Sequence, residues 1–235
     1  MSADATAAAS GFFGGFAKST AMILMSEIGD KTFFIAAIMA MRHSRVTVLA
    51  GALGALWVMT VLSAALGWVA PTLIPKAYTH YAATALFFFF GVRTLWDVAR
   101  EWNEEGGSEL AEVEAELNGD LTKSPTHKKS RGPKVLSRLG LATLLTPVFV
   151  ETFVLTFLAE WGDRSQIATI MLAAQSDVYG VTLGGILGHS VCTGGAVVGG
   201  RQLSTQISEK TVALCGGVLF ICFGLHAALA GPPQD

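Results

Sequence analysis

Glu27-Ile28-Gly29-Asp30-Lys31-Thr32 and Glu160-Trp161-Gly162-Asp163-Arg164-Ser165 are two copies of one pattern: a glutamate, a glycine-aspartate pair, a base and a hydroxyl. Each copy lies inside an otherwise apolar run, where an ionisable side chain is expensive and marks a candidate functional site. One such cluster can be an accident of local structure. Two of them, at equivalent places in the two halves of a chain, read as two halves of one polar centre.

Outward from the motifs, a gapless shift of 133 residues aligns Phe16 with Phe149, Gly51 with Gly184, Thr60 with Thr193 and Gly67 with Gly200. The match continues through Leu86, Phe87, Phe90 and Gly91 against Leu219, Phe220, Phe223 and Gly224. The chain is an internal duplication. Apolar runs fall at roughly 12 to 41, 46 to 70, 78 to 98, 139 to 174, 178 to 200 and 209 to 230, each long enough for the ~20 residues of a spanning helix. Only 14% of the 235 residues are charged, 51% are hydrophobic and the mean hydropathy is +0.51, whereas soluble domains carry about 25% charged residues. Continuous runs also exclude barrel strands, which alternate polar and apolar. The expected fold is an all-α integral membrane protein with six transmembrane helices, three in residues 1–98 and three in 139–235.

An odd number of spans per copy makes the second copy cross the bilayer in the opposite sense, the inverted-repeat plan of many secondary transporters. Setting aside Lys31, Arg93 and Arg164 inside helices, eleven Lys and Arg fall on the side of loops 1-2, 3-4 and 5-6, against two, Lys18 and Lys76, on the other. The positive-inside rule then directs both termini away from the cytosol and the 99–138 linker into it. That linker is segregated in charge: nine of the eighteen acids lie between Asp97 and Asp120, and six bases follow from Lys123 to Arg138. It reads as a solvated tether, part helical, with a regulatory metal-sensing tail as the sharper alternative. The segment before the first motif helix is short and poor in Arg, unlike a cleavable signal or a transit peptide.

The motif-bearing runs, about 30 and 36 residues long, would reach roughly 45 Å or more as straight helices, beyond a hydrocarbon core of about 30 Å. They must tilt or break, and Gly29 and Gly162 are the natural breaks, where backbone carbonyls would turn towards an ion. Glu27 shares a helix face with Asp30, and Glu160 with Asp163. With the repeats antiparallel, four carboxylates converge at mid-membrane, and Thr32, Ser165 and Gln166 are candidate neutral oxygen ligands. All-oxygen donors suit a hard cation such as Ca²⁺ or Mn²⁺; Zn²⁺ or Cu⁺ would call for His or Cys, absent from both motifs. Desolvation and mutual repulsion prevent four carboxylates from all staying ionised once the site empties, so protons must fill it. Metal and protons then compete for the same oxygens, the simplest basis for exchanging one for the other.

Lys31 and Arg164 are candidate counter-ions for the return step, or plain ion-pair partners of Glu27 and Glu160 one turn away. Glu151, whose place in the first copy is taken by Lys18, lies nine residues before Glu160, about 13 Å along a helix. It reads as a proton or ion access group, against a headgroup-level or ion-paired structural acid. His189 is a candidate proton relay, against hydrogen-bonded packing. Gly51, Gly54, Gly184, Gly185 and Gly188 are expected to permit close helix approach. Cys192, Cys215 and Cys222 read as small buried hydrophobes.

Residues 27–42, from Glu27 through Arg42, and 157–166, Phe157 through Gln166, closely resemble the paired E-x-G-D-[KR]-[ST] motifs of the calcium/manganese-proton exchanger family that includes animal transmembrane protein 165 and the plant and fungal Golgi exchangers. The likeness covers both repeats. It implies movement of Ca²⁺ and Mn²⁺ into a secretory compartment, chiefly the Golgi, in exchange for protons, in support of manganese-dependent glycosylation. It also implies metal binding by Glu27, Asp30, Glu160 and Asp163, with no resident cofactor. Thylakoid and envelope relatives carry long transit peptides and bacterial ones little linker, so an endomembrane home is favoured, with a bacterial plasma membrane as the alternative.

A cation channel or uniporter using the same carboxylates is the main competing function. An intramembrane aspartyl protease, with Asp30 and Asp163 sharing a proton, is the enzyme alternative. Each Asp is followed by a base and preceded by a Glu that such a dyad does not need, so no enzyme activity is expected. Divalent cations, protons and the bilayer are the expected partners, without nucleic acid.

Overall fold

The computed structural model describes residues 3–101, 113–115, 117, 146–206 and 208–232. Among them the regular structure is entirely helical. The first half runs α1 (Ala3–Glu27), α2 (Lys31–Arg42), α3 (Arg45–Leu73) and α4 (Lys76–Glu101). The second runs α5 (Pro147–Glu160), α6 (Arg164–Gln175), α7 (Val178–Gln206) and α8 (Glu209–Ala230). Each half therefore has the same order: a pair of helices split at the motif, then two long ones.

Four stretches are long and apolar enough to cross a bilayer: Arg45–Leu73, Ala77–Arg100, Val178–Gly200 and Lys210–Ala230. The other two apolar runs are the split pairs. Gly29 and Gly162 sit at φ 78° and 83°, a left-handed conformation that an L side chain resists. Each break falls between the two carboxylates of its motif, as the excess length of the runs predicts. The carbonyls at the break do not all turn outward, however. Glu27 O accepts from Asp30 N and Asp30 O from Phe34 N, and the same two bonds recur at Glu160 and Asp163. What the break creates is a helix start with an aspartate cap.

The halves pack on each other rather than side by side. Gly184 on α7 sits so close to the Phe16 carbonyl of α1 that no larger residue fits, and its counterpart Gly51 on α3 meets the Phe149 carbonyl of α5, where an added methyl would stand 2.8 Å away. A methyl on Gly185 or Gly188 would stand 2.8 Å from Thr60 or Ile23, whereas one at Gly54 would make an ordinary 3.5 Å contact with Phe153. Close helix approach is thus the role of most of these glycines. α4 pairs with α8, where Phe87 stacks obliquely on Phe220 at 6.3 Å between ring centres.

The short helix α2 lies at the centre, buried at every position from Thr32 to Ala40. On the outside, α3 exposes Val58, Val61, Leu62 and Leu66, a face suited to lipid. Residues 102–112, 116 and 118–145, which make up most of the 99–138 linker and the first seven residues of the second repeat, lie outside the described residues. The linker's helical piece around Val113 and Leu117 departs from a solvated tether: both side chains are buried in the cluster formed by Phe33, Phe34, Ile38 and Val197. Their i, i+4 spacing gives an otherwise acidic stretch one apolar face. α4 also continues three residues past the expected boundary at 98, to Glu101, with Arg93 and Asp97 paired at 3.8 Å one turn apart.

Candidate cation site at the paired helix breaks

Because each break falls between the two acids of a motif, the glutamate ends one helix and the aspartate starts the next. Asp30 caps α2, its Oδ1 accepting from Lys31 N at 2.9 Å. Asp163 caps α6 with both oxygens, accepting from Gln166 N and Ser165 N at 2.8 Å each. The Gln166 side chain reaches back to accept from Gly162 N at 2.7 Å, a variant of the capping box that fastens the turn. Its carbonyl oxygen is therefore engaged within the turn.

The two motifs meet. Glu27, Asp30 and Glu160 each offer a carboxylate oxygen within 4.8 Å of the others. Oxygens on opposite sides of a Ca²⁺ ion stand roughly 4.6–5.2 Å apart, twice the usual metal–oxygen distance, so the spacing matches a hard cation between them. Asp163 adjoins this triplet without belonging to it. Thr32 Oγ1 donates to Glu27 Oε2 at 3.4 Å, and Ser165 Oγ to Glu160 Oε2 at 3.5 Å. Arg164 stands 4.0 Å from Asp30 of the other motif, so its acidic neighbour lies across the repeats and not one turn back at Glu160. Glu27 and Glu160 are 2% and 3% exposed, and Glu27 Oε1 has no hydrogen-bond partner. An unpaired buried carboxylate oxygen is costly, and a bound cation or proton would relieve it.

His189 on α7 comes to this cluster from outside the motifs. It is buried, and its Nδ1 lies 4.0 Å from Glu27 Oε2 with no hydrogen-bond partner. A cavity of about 10 Å³ is lined by Glu160, Asp163, Ser165, Gln166 and His189, close to the space one water needs. Thr60 and Ser63 of α3 and Thr169 of α6 complete its wall; these three hydroxyls have no place in the motif reading. Thr60 left one trace in the sequence, its match with Thr193 across the repeat. Glu151 is not brought to the cluster: it lies half-buried near the start of α5, outside the cavity wall.

The family model described as "Divalent cation/proton antiporter GDT1" matches residues 15–102 and 148–235. The chain belongs to the GDT1 family. Both boundaries of the GDT1 match are offset by 133 residues, the repeat spacing, and each matched segment carries one motif. The chain is thus a multi-pass membrane protein of an antiporter family, not of an enzyme family. It is 52% identical to GDT1-like protein 5 of Arabidopsis thaliana, over 92% of this chain and 95% of that protein. It is 50% identical to GDT1-like protein 5 of Oryza sativa subsp. japonica, over 94% and 97%. Against GDT1-like protein 3 of Arabidopsis thaliana the identity is 46%, over 99% of this chain and 76% of that protein. No solved structure matches the chain.

Proposed function

We propose that this GDT1-family chain exchanges Ca²⁺ and Mn²⁺ for protons across an intracellular membrane, with cation and protons competing for one carboxylate site shared by both motifs. The observation that carries the reading is the meeting of Glu27 and Asp30 with Glu160 at 4.8 Å or less. Oxygen is the donor these motifs supply, and Ca²⁺ and Mn²⁺ both accept oxygen ligands. Glu27, Asp30 and Glu160 bind the cation, Asp163 joins from its cap position, Thr32 and Ser165 line the shell, and Gln166 fastens the turn through the bond it accepts from Gly162 N. On release, protons take the cation's place on Glu27 and Glu160, and His189, 4.0 Å from Glu27, passes a proton to or from that carboxylate. Arg164 and Lys31 balance charge while the site is empty. Glu151 gathers ions at the mouth of its own half.

Two inverted three-helix repeats, with each split pair acting as one span, account for the shared element order and for the contacts between residues 133 positions apart, Phe87 with Phe220 and Trp57 with Ser190. A residue meets its own counterpart only near an axis relating the halves. The excess of basic residues on one set of loops supports a cytosolic linker and termini on the far side. About 50% identity to plant relatives supports an endomembrane home, the Golgi in the first place, over a bacterial plasma membrane.

The test is uptake of Mn²⁺ and Ca²⁺ into proteoliposomes with a pH dye inside. Imposed proton gradients should drive metal uptake, and metal movement should drive protons the other way. Metal flux that moves no protons would replace this reading with a channel or uniporter.

A further inference from the structure

A second cavity, about 410 Å³, lies between α1, α4, α8 and the end of α6, within the size range of small-ligand sites. Its polar wall is made of donors. Lys18 brings an ammonium, Gln175 and Ser176 an amide and a hydroxyl, and His80 and His226 their ring nitrogens, and no acid is among the described residues lining it. Two of these donors lack partners among the described residues. Lys18, in the middle of an apolar helix, has no carboxylate within ion-pair distance among the described residues, and Gln175 Nε2 is buried without a hydrogen bond. Asp177, which follows Ser176, does not line the cavity, and its Oδ1 accepts from Gly180 N at 2.7 Å at the start of α7.

The transport of a divalent cation does not explain this wall. A fixed ammonium repels such a cation, and the equivalent position in the other half is an acid, Glu151. Nor does packing explain it, since a buried amide N–H without an acceptor is destabilising. An acceptor-only ligand with several oxygens is the chemical complement of a wall made of donors. Charge-assisted bonds from an ammonium to a phosphate are the strong ones, and donors arriving from four helices suit a tetrahedral oxyanion better than a monatomic one. The same cavity is also lined by Phe87 and Phe223, whose rings meet edge to face at 5.9 Å. A ligand with a phosphate head and an apolar continuation would use both parts.

We propose that this cavity is a binding site for a phosphate group, held by Lys18 and the Gln175 amide with His80, His226 and Ser176 around it. Free inorganic phosphate and a phospholipid headgroup present the same chemistry to these donors, and the two arms of the test distinguish them.

The full chain in detergent is the sample for the first arm, equilibrium binding of radiolabelled inorganic phosphate. For the second, the chain is reconstituted in nanodiscs containing phosphatidic acid and phosphatidylinositol, and retained lipid is read by native mass spectrometry. Lys18→Gln is compared with His226→Phe, a change at the exposed rim, and folding is checked by gel filtration and thermal melting. Saturable phosphate binding that weakens at least tenfold in Lys18→Gln assigns the site to the free anion. Retention of an anionic lipid that is lost in Lys18→Gln and reduced in His226→Phe assigns it to a headgroup. If folded wild type and both variants bind phosphate and lipid alike, or none binds either, the proposal is overturned. Mn²⁺ uptake by the same proteins reconstituted in proteoliposomes keeps the two ideas apart, because loss of the phosphate site leaves metal exchange at the motif carboxylates running.

Discussion

The indole Nε1 of Trp57 donates to Ser190 Oγ at 3.2 Å, and the two residues stand 133 positions apart, at the same place in the two halves. The hydroxyl passes the chain on to the Ile186 carbonyl at 2.6 Å. Polar bonds between helices in a membrane contribute about 0.6 kcal/mol on average. Trp57→Phe is therefore expected to lower stability by about that amount and to leave transport intact, measured by thermal melting in detergent and by Mn²⁺ uptake.

Gly51 and Gly54 give a matched pair on one helix. An added methyl at Gly51 would stand 2.8 Å from the Phe149 carbonyl, and one at Gly54 would stand 3.5 Å from the Phe153 ring. Backbone yields poorly to overpacking, so Gly51→Ala should destabilise by about 1–3 kcal/mol. Gly54→Ala should fall within about 0.5 kcal/mol of the wild type. Equal melting temperatures for the two variants would contradict the packing described for α3 against α5.

Glu27→Gln and Glu160→Gln each keep the shape of the side chain and remove its charge. Both should abolish exchange while the protein stays folded. In the wild type, protons and cation draw on the same oxygens, so acidifying the loading side should raise the apparent KM for Mn²⁺ and alkalinising it should lower it. A KM that ignores pH over the range where exchange operates would count against shared carboxylates. Initial rates in proteoliposomes supply the reading.

The two aspartates carry unequal structural duties. Asp163 holds two backbone amides at 2.8 Å, whereas Asp30 holds one at 2.9 Å and belongs to the carboxylate triplet. Loss of a cap costs about 1 kcal/mol, so Asp163→Ala should melt earlier and Asp163→Ser, which retains a cap oxygen, should recover most of that. Asp30→Asn should weaken cation uptake with little change in melting. Circular dichroism melts and uptake on the same preparations separate the two roles.

Much of this architecture was legible in the residues. The duplication, the apolar runs and the breaks at Gly29 and Gly162 follow from spacing, because glycine beside two acids is where an overlong helix gives way. The consequences of those breaks were harder to read. Six apolar runs become eight described helices, and the freed backbone is met by aspartate caps rather than turned towards the centre. The wall formed by Thr60, Ser63 and Thr169 was barely legible: Thr60 had only its match with Thr193, and each hydroxyl looks like ordinary membrane-helix packing until α3, α6 and α7 are brought together. The burial of Val113 and Leu117 had a weak local signal, two apolar residues four apart, masked by the acids around them.

The central cavity is walled by Leu56 on one side and His189 on the other, and these two are the same position in the two halves. In the inverted arrangement proposed above, a protein whose halves were interchangeable would treat its two faces alike and work equally well installed either way up. One imidazole facing one isobutyl group ends that equivalence, as Lys18 opposite Glu151 ends it nearer the surface. The chemical difference between the two halves then resides in a few side chains laid over a duplicated scaffold, so the two faces of the protein can meet their solutions with different chemistry while sharing one backbone plan.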